Sequence, residues 1–397
     1  MKKLLLTLCL AAALAAPRIC AQNASAAAQE PIADSEPDPE RIKLENSLLD
    51  AVALLDAGNA APARAILDSL EANCPPDGAV QYYLGICCYA SRDVQGAVRH
   101  FEKAVEADPQ NAWFRETLAN IYVGTGNASG AGELFAGLSR ENPAKFRNAY
   151  TLSLMADAYR TQRDYDSFIG ILTELVSDPD IEDGAKSEIL LGALGGFDSR
   201  TFSTLLPRID TLMQVYVASE PSSLQAHRLR METAALQDQH EIVIAECNRL
   251  IALQPSDTAQ VVTNLSIIGD TYHSMGDWRK AYKTYEKALK LDPRNAPVLN
   301  NYAYYLCQQR RRLCKAQRMS RITIDDQPDN ATYLDTYGWI LFLRGKAAEA
   351  KPYFKHAMIY GGKDSAVVLR HYAEVLKALG EDDLATYYYN LAESKSK

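Results

Sequence analysis

Apolar and small residues recur along this chain at intervals of three and four, which predicts helices from end to end. In residues 276–295, GDWRKAYKTYEKALKLDPRN, Ala281, Tyr285 and Ala288 fall on one face of a helix that Asp292-Pro293 ends. Two of the three are small, so whatever packs there must come close. Extended backwards, the pattern reads Ile268-Gly269, Tyr272, Gly276, Ala281, Tyr285, Ala288, Pro293. The same spacing recurs as Leu84-Gly85, Cys88, Arg92, Ala97, Phe101, Ala104, Pro109. It returns 34 residues later as Leu118-Ala119, Tyr122, Gly126, Ala131, Phe135, Leu138, Pro143.

Each copy predicts two helices joined by a turn, a unit that cannot bury its apolar stripe alone and so stacks on its neighbours. Small residues at the crossings, such as Gly85, Gly269 and Ala281, let helix backbones approach, and aromatics such as Phe101 and Tyr285 fill the wider gaps. Weaker copies run from Leu44 to Asp77, from Ala149 to Asp180 and from Pro221 to Ser256, then over 296–330, 331–364 and 365–397. The spaced positions resemble the tetratricopeptide repeat (TPR). That resemblance implies an all-α, right-handed solenoid of stacked helix-turn-helix units whose first helices line a concave groove for a partner. It organises the chain into blocks at 41–180 and 221–397. Between them, 181–220 keeps helical patterning but loses the repeat residues, and Gly195-Gly196 and Pro207 predict a break or irregular hinge there.

The first residues follow another logic. Lys2 and Lys3 precede a 13-residue apolar run and small residues near Ala21, the layout of a cleaved signal peptide over 1–21. The run is short for a membrane span, which takes about 20 apolar residues. Leu8 before Cys9 and Ile19 before Cys20 do not suit lipid attachment. The expectation is an exported protein, periplasmic or secreted and without a membrane anchor, beginning with a flexible linker over 22–40. Loss of Lys2, Lys3 and Arg18 takes the formal charge from −8 to −11, a poor match to nucleic acid. Arg310, Arg311 and Arg312 form a basic cluster and read as a solvated turn.

Of eight cysteines, six follow the signal peptide, too few for a disulfide scaffold in a chain this long. Cys307 and Cys314 flank a helix-helix turn and are candidates for a bridge across it; Cys88 and Cys247 sit at core positions. No histidine has a neighbour at metal-binding spacing, and His-Glu-x-x-His, Gly-x-Ser-x-Gly and phosphate-loop motifs do not occur. The reading is therefore a protein with no enzymatic activity, cofactor or metal.

Partner binding is the better expectation. The repeat resemblance implies that first helices present Asn300, Asn301 and Tyr304, then Asp335, Trp339 and Phe342. Aromatics of this kind anchor peptides or helices, and equally seal the stack between units. A carboxylate clamp lacks its basic residues, because the preceding first helix offers Ser266, Asp270 and His273. Arg370, Glu374 and Lys377 read as a solvated strip, and Tyr387, Tyr388 and Tyr389 as uncovered rings suited to self-association through the C-terminal helix. The stretch from Asn300 to Ala350 further resembles paired units of exported Gram-negative TPR proteins, Bacteroidetes-like in type, several of which act as adaptors. The leading expectation is a protein-binding scaffold, with a peptide or glycan receptor and a self-assembling solenoid as rivals.

Overall fold

The structure, a computed structural model, describes residues 39–395. The signal peptide expected at 1–21 lies outside the described residues, as does the expected linker except for Pro39 and Glu40, which open the first helix. The described residues form 21 α-helices and no strand. They divide into two compact units at the boundary 202/203.

In the first unit, helices pair as α1 (Pro39–Asp56) with α2 (Ala60–Asn73), α3 (Gly78–Ala90) with α4 (Val94–Ala107), and α5 (Ala112–Thr125) with α6 (Ala128–Glu141). A single turn, α7 (Pro143–Phe146), then leads to α8 (Ala149–Gln162) and α9 (Tyr165–Ser177), followed by α10 (Asp183–Leu194). The unit boundary falls in the first turn of α11 (Ser199–Ser219). The second unit continues with α12 (Leu224–Ala235) and α13 (His240–Leu253), then α14 (Thr258–Ser274) and α15 (Trp278–Leu291). It closes with α16 (Ala296–Gln308) and α17 (Leu313–Asp326), α18 (Ala331–Leu343) and α19 (Ala347–Ile359), and α20 (Ala366–Ala378) and α21 (Asp382–Lys395).

Asp or Asn side chains cap many of these helices. Asp77, Asp93, Asn111, Asn127, Asp164, Asp257, Asp277, Asn295 and Asn330 each accept a backbone N–H of the first turn, satisfying donors a helix otherwise leaves unpaired. The turn inside a pair needs one left-handed residue: Gly276 supplies it at φ +78, while Arg310 adopts φ 49 at the equivalent place.

The stripe that raises the packing question is fully buried. Ala281, Tyr285 and Ala288 have no exposed surface, and Ala350, Phe354 and Ala357 repeat the same spacing with the same burial. Their partners are glycines of the first helices. A Cβ on Gly85 would lie 2.8 Å from the Phe101 ring, on Gly269 2.5 Å from Tyr285, and on Gly338 2.8 Å from Phe354. The aromatic ring therefore occupies the space that a side chain on the facing helix would need.

Cys88 and Cys247 are buried as expected. Pro207 does not break its helix: α11 runs through it. Burial of Leu205, Ile209, Leu212, Met213 and Tyr216 outweighs the hydrogen bond the proline forfeits. The interruption falls instead after Leu194, at Gly195-Gly196.

Candidate partner-binding face

Gly269, Ala303, Gly338 and Ala373 hold equivalent positions of four successive first helices, α14, α16, α18 and α20, at spacings of 34, 35 and 35 residues. The next residue in each, Asp270, Tyr304, Trp339 and Glu374, is half-buried, beside the packed seam but still reached by solvent. Two polar-aromatic clusters are built around this row.

The first centres on Asp270. Its carboxylate accepts the Tyr285 hydroxyl at 2.5 Å and Asn301 Nδ2 at 3.3 Å, with the Tyr305 hydroxyl also engaged. Burial raises the Asp270 pKa above the ordinary carboxylate value, although these donors pull the other way. The same burial, together with the Asp270 charge, pushes the Tyr285 and Tyr305 hydroxyls well up. His273 stacks on Tyr305 with ring centroids 3.6 Å apart, and its buried Nε2 has no hydrogen-bond partner. Burial lowers its pKa, against the pull of Asp270.

The second cluster centres on Asp335. His371 Nδ1 lies 2.9 Å from Asp335 Oδ1, within hydrogen-bond distance. The His371 ring stacks on Trp339 at 4.0 Å and 12°, and Trp339 stacks on Phe342 at 5.0 Å. Trp339 packs against two neighbouring core clusters at once, so it seals the stack and keeps part of its surface outside. Tyr304 leans on Tyr305 at 5.8 Å, and burial raises its hydroxyl.

Of the residues expected to meet a partner, Asn301, Tyr304, Trp339 and Phe342 are half-buried. Asn300 and Asp335 are not presented: they are 5% and 4% exposed, which corrects their expected role as contact residues. Asp335 is occupied in fixing His371, while Asn300 reaches only Asn301 and leaves its Oδ1 unpaired. The sequence reading missed Tyr305 and His371 and weighed Asp270 and His273 only against a carboxylate clamp. The stacked pairs 273/305 and 339/371 share a separation of 32 residues, slightly under one repeat, a signal the sequence did carry.

Cys307 and Cys314 are free thiols here. Cys307 is buried and its thiol is pushed up to about 12 by that burial, whereas Cys314 is exposed. On α21 the exposed ring is Tyr387; Tyr388 packs on Tyr372 at 4.8 Å. Among the described residues, no helix is long and apolar enough to cross a membrane.

Three family profiles match the chain: tetratricopeptide repeat profiles at residues 48–112 and 89–156, and a TPR repeat profile at 269–308. Over 112 residues the chain is 33% identical to the type IV pilus assembly protein PilF of Pseudomonas aeruginosa, covering 28% of this chain and 44% of that one. It thus spans less than half the length of this relative. Among solved structures, a tetratricopeptide repeat protein from Parabacteroides merdae aligns at 15% identity over 72% of this chain and 94% of its own, with a TM-score of 0.41. Yeast Tom70 aligns at 15% identity over 90% and 77% of the two chains, with a TM-score of 0.40. With the repeat visible in the three profile matches, over 48–156 and 269–308, and in the Gly-aromatic seams, the chain contains tetratricopeptide repeats.

Proposed function

We propose that this chain is a non-enzymatic scaffold of the bacterial periplasm or envelope. It holds another protein on the first-helix face of α14, α16, α18 and α20. The observation that carries this reading is the row of half-buried Tyr304, Trp339 and Phe342, braced from behind by Asp335 and His371. Rigid aromatic rings with one face packed and one accessible anchor a partner at low entropic cost. The similarity to a pilus assembly protein supports an envelope setting, as does the signal-peptide pattern of residues 1–21.

A photoreactive benzoylphenylalanine in place of Tyr304 tests the face directly. In the native organism it cross-links to a partner polypeptide, and the same group at exposed Lys287 on α15 does not. Cross-linking at Lys287 alone would place the partner elsewhere. A small peptide or glycan occupying the face instead would show as ligand binding that Trp339→Ala abolishes, with no polypeptide adduct at Tyr304.

A further inference from the structure

The arginine turn after α16 lines a cleft. Arg311 and Arg312 share the walls of a cavity of about 860 Å³ with Arg279 and Lys283 of α15. Tyr282, Tyr302 and Leu306 supply apolar lining, and Trp278 and Met275 contribute side chains that are 40% and 41% exposed. Most of the wall comes from the second helix α15 and the adjoining turns, so the cleft is separate from the row of Tyr304 and Trp339.

Its charges are unbalanced. Two carboxylates line it, and both are held by other cations: Asp277 by Lys280 at 2.9 Å, and Glu286 by Lys315 at 2.8 Å with the Tyr302 hydroxyl at 3.0 Å. Among the described residues, none of Arg279, Lys283, Arg311 and Arg312 forms an ion pair. In a chain of formal charge −8, four cations without an ion pair thus gather around one aromatic-lined cavity, Arg279 and Arg312 near enough to Asp277 and Glu286 to help hold those carboxyls low.

We propose that this cleft binds a short acidic peptide segment of a partner protein. Its carboxylates would lie on Arg279, Lys283, Arg311 and Arg312, and an apolar side chain against Trp278 and Tyr282. Guanidinium forks suit carboxylates because two parallel N–H groups meet two oxygens. An open cleft of this volume has room for a few residues of an extended peptide. A nucleic acid fits less well. Tight phosphate binding draws on a run of about 6–10 contacts, whereas the cations here are four and the surrounding chain is acidic.

The test uses the full chain and a fluorescein-labelled peptide, Asp-Glu-Phe-Glu-Asp, against its amide counterpart Asn-Gln-Phe-Gln-Asn, read by fluorescence anisotropy. The acidic peptide binds, and the amide peptide binds at least about tenfold more weakly. Arg311→Glu with Arg312→Glu weakens the acidic peptide by about tenfold or more, as does Arg279→Ala with Lys283→Ala on the exposed side of α15. Melting temperatures stay unchanged, and Trp339→Ala retains the affinity. Equal binding of the two peptides, no binding of either, or wild-type affinity in both charge variants would overturn the proposal. So would a single-stranded oligonucleotide that binds more tightly than the peptide and is lost with the same cations.

Discussion

Tyr285 packs so closely on Gly269 that a single methyl carbon at Gly269 would stand 2.5 Å from its ring. Gly269→Ala therefore displaces the ring or parts the two helices, and it destabilises the protein by about 1–3 kcal/mol despite alanine's better helix propensity. Gly170 on α9 gives the opposite sign, since nothing lies within 4 Å of its Cβ position. Gly170→Ala stabilises by about 0.5–1 kcal/mol. Urea unfolding of the two variants checks both signs.

His371 and Asp335 form a largely buried pair, whereas His356 and Asp329 make a similar contact at 2.8 Å with side chains 40% and 55% exposed. His371→Ala leaves the Asp335 carboxylate buried without its donor and costs about 1–3 kcal/mol. His356→Ala costs less than about 1 kcal/mol, because water replaces the lost partner. Equal losses in denaturant titrations would show that burial is not what gives the first pair its weight.

The raised pKa of Asp270 makes a stability claim with a definite sign. For an acid whose folded pKa exceeds the unfolded one, the folded state binds the proton more tightly. That contribution is fully present below the unfolded value of about 3.9 and is lost as pH rises through the folded value. Asp270→Asn does not titrate, so its stability relative to wild type improves from pH 4 towards neutral. A pH series of unfolding midpoints reads this directly, and a relative stability that falls over that range would contradict it.

Thiol reactivity distinguishes the two cysteines expected to bridge. Alkylation of the folded protein, followed residue by residue by mass spectrometry, labels exposed Cys314 rapidly. It leaves Cys307 unlabelled until unfolding, because Cys307 is buried and held protonated. A Cys307–Cys314 disulfide, seen as a linkage that a reductant cleaves, in protein purified from the native organism would contradict this.

The repeat was legible in the sequence because its code is local. Ala281, Tyr285 and Ala288 announce a helix face by spacing alone, and Gly269 announces the close approach that the face requires. Pro207 misled because propensity is also local, whereas the buried face that carries α11 through it is tertiary. The candidate site was half legible. Tyr304 and Trp339 stand out as large aromatics at first-helix positions. Yet the burial of Asn300 and Asp335, and the stacking of His371 on Trp339, depend on how far one helix pair rotates on the next. The gathering of cations around Arg311 was hidden for the same reason: Arg279 and Lys283 lie more than 25 residues away and reach the same cleft only once α15 and α16 pack.

The central claim is that the face carrying Tyr304 and Trp339 holds another protein. Its most direct test is affinity capture from the native organism, comparing the full chain with a Tyr304→Ala, Trp339→Ala variant at a temperature where both are fully folded. A specific polypeptide retained by the wild-type chain and absent from the variant is the predicted result. The same polypeptide retained equally by both chains, or capture of nothing beyond the chain itself, would contradict it.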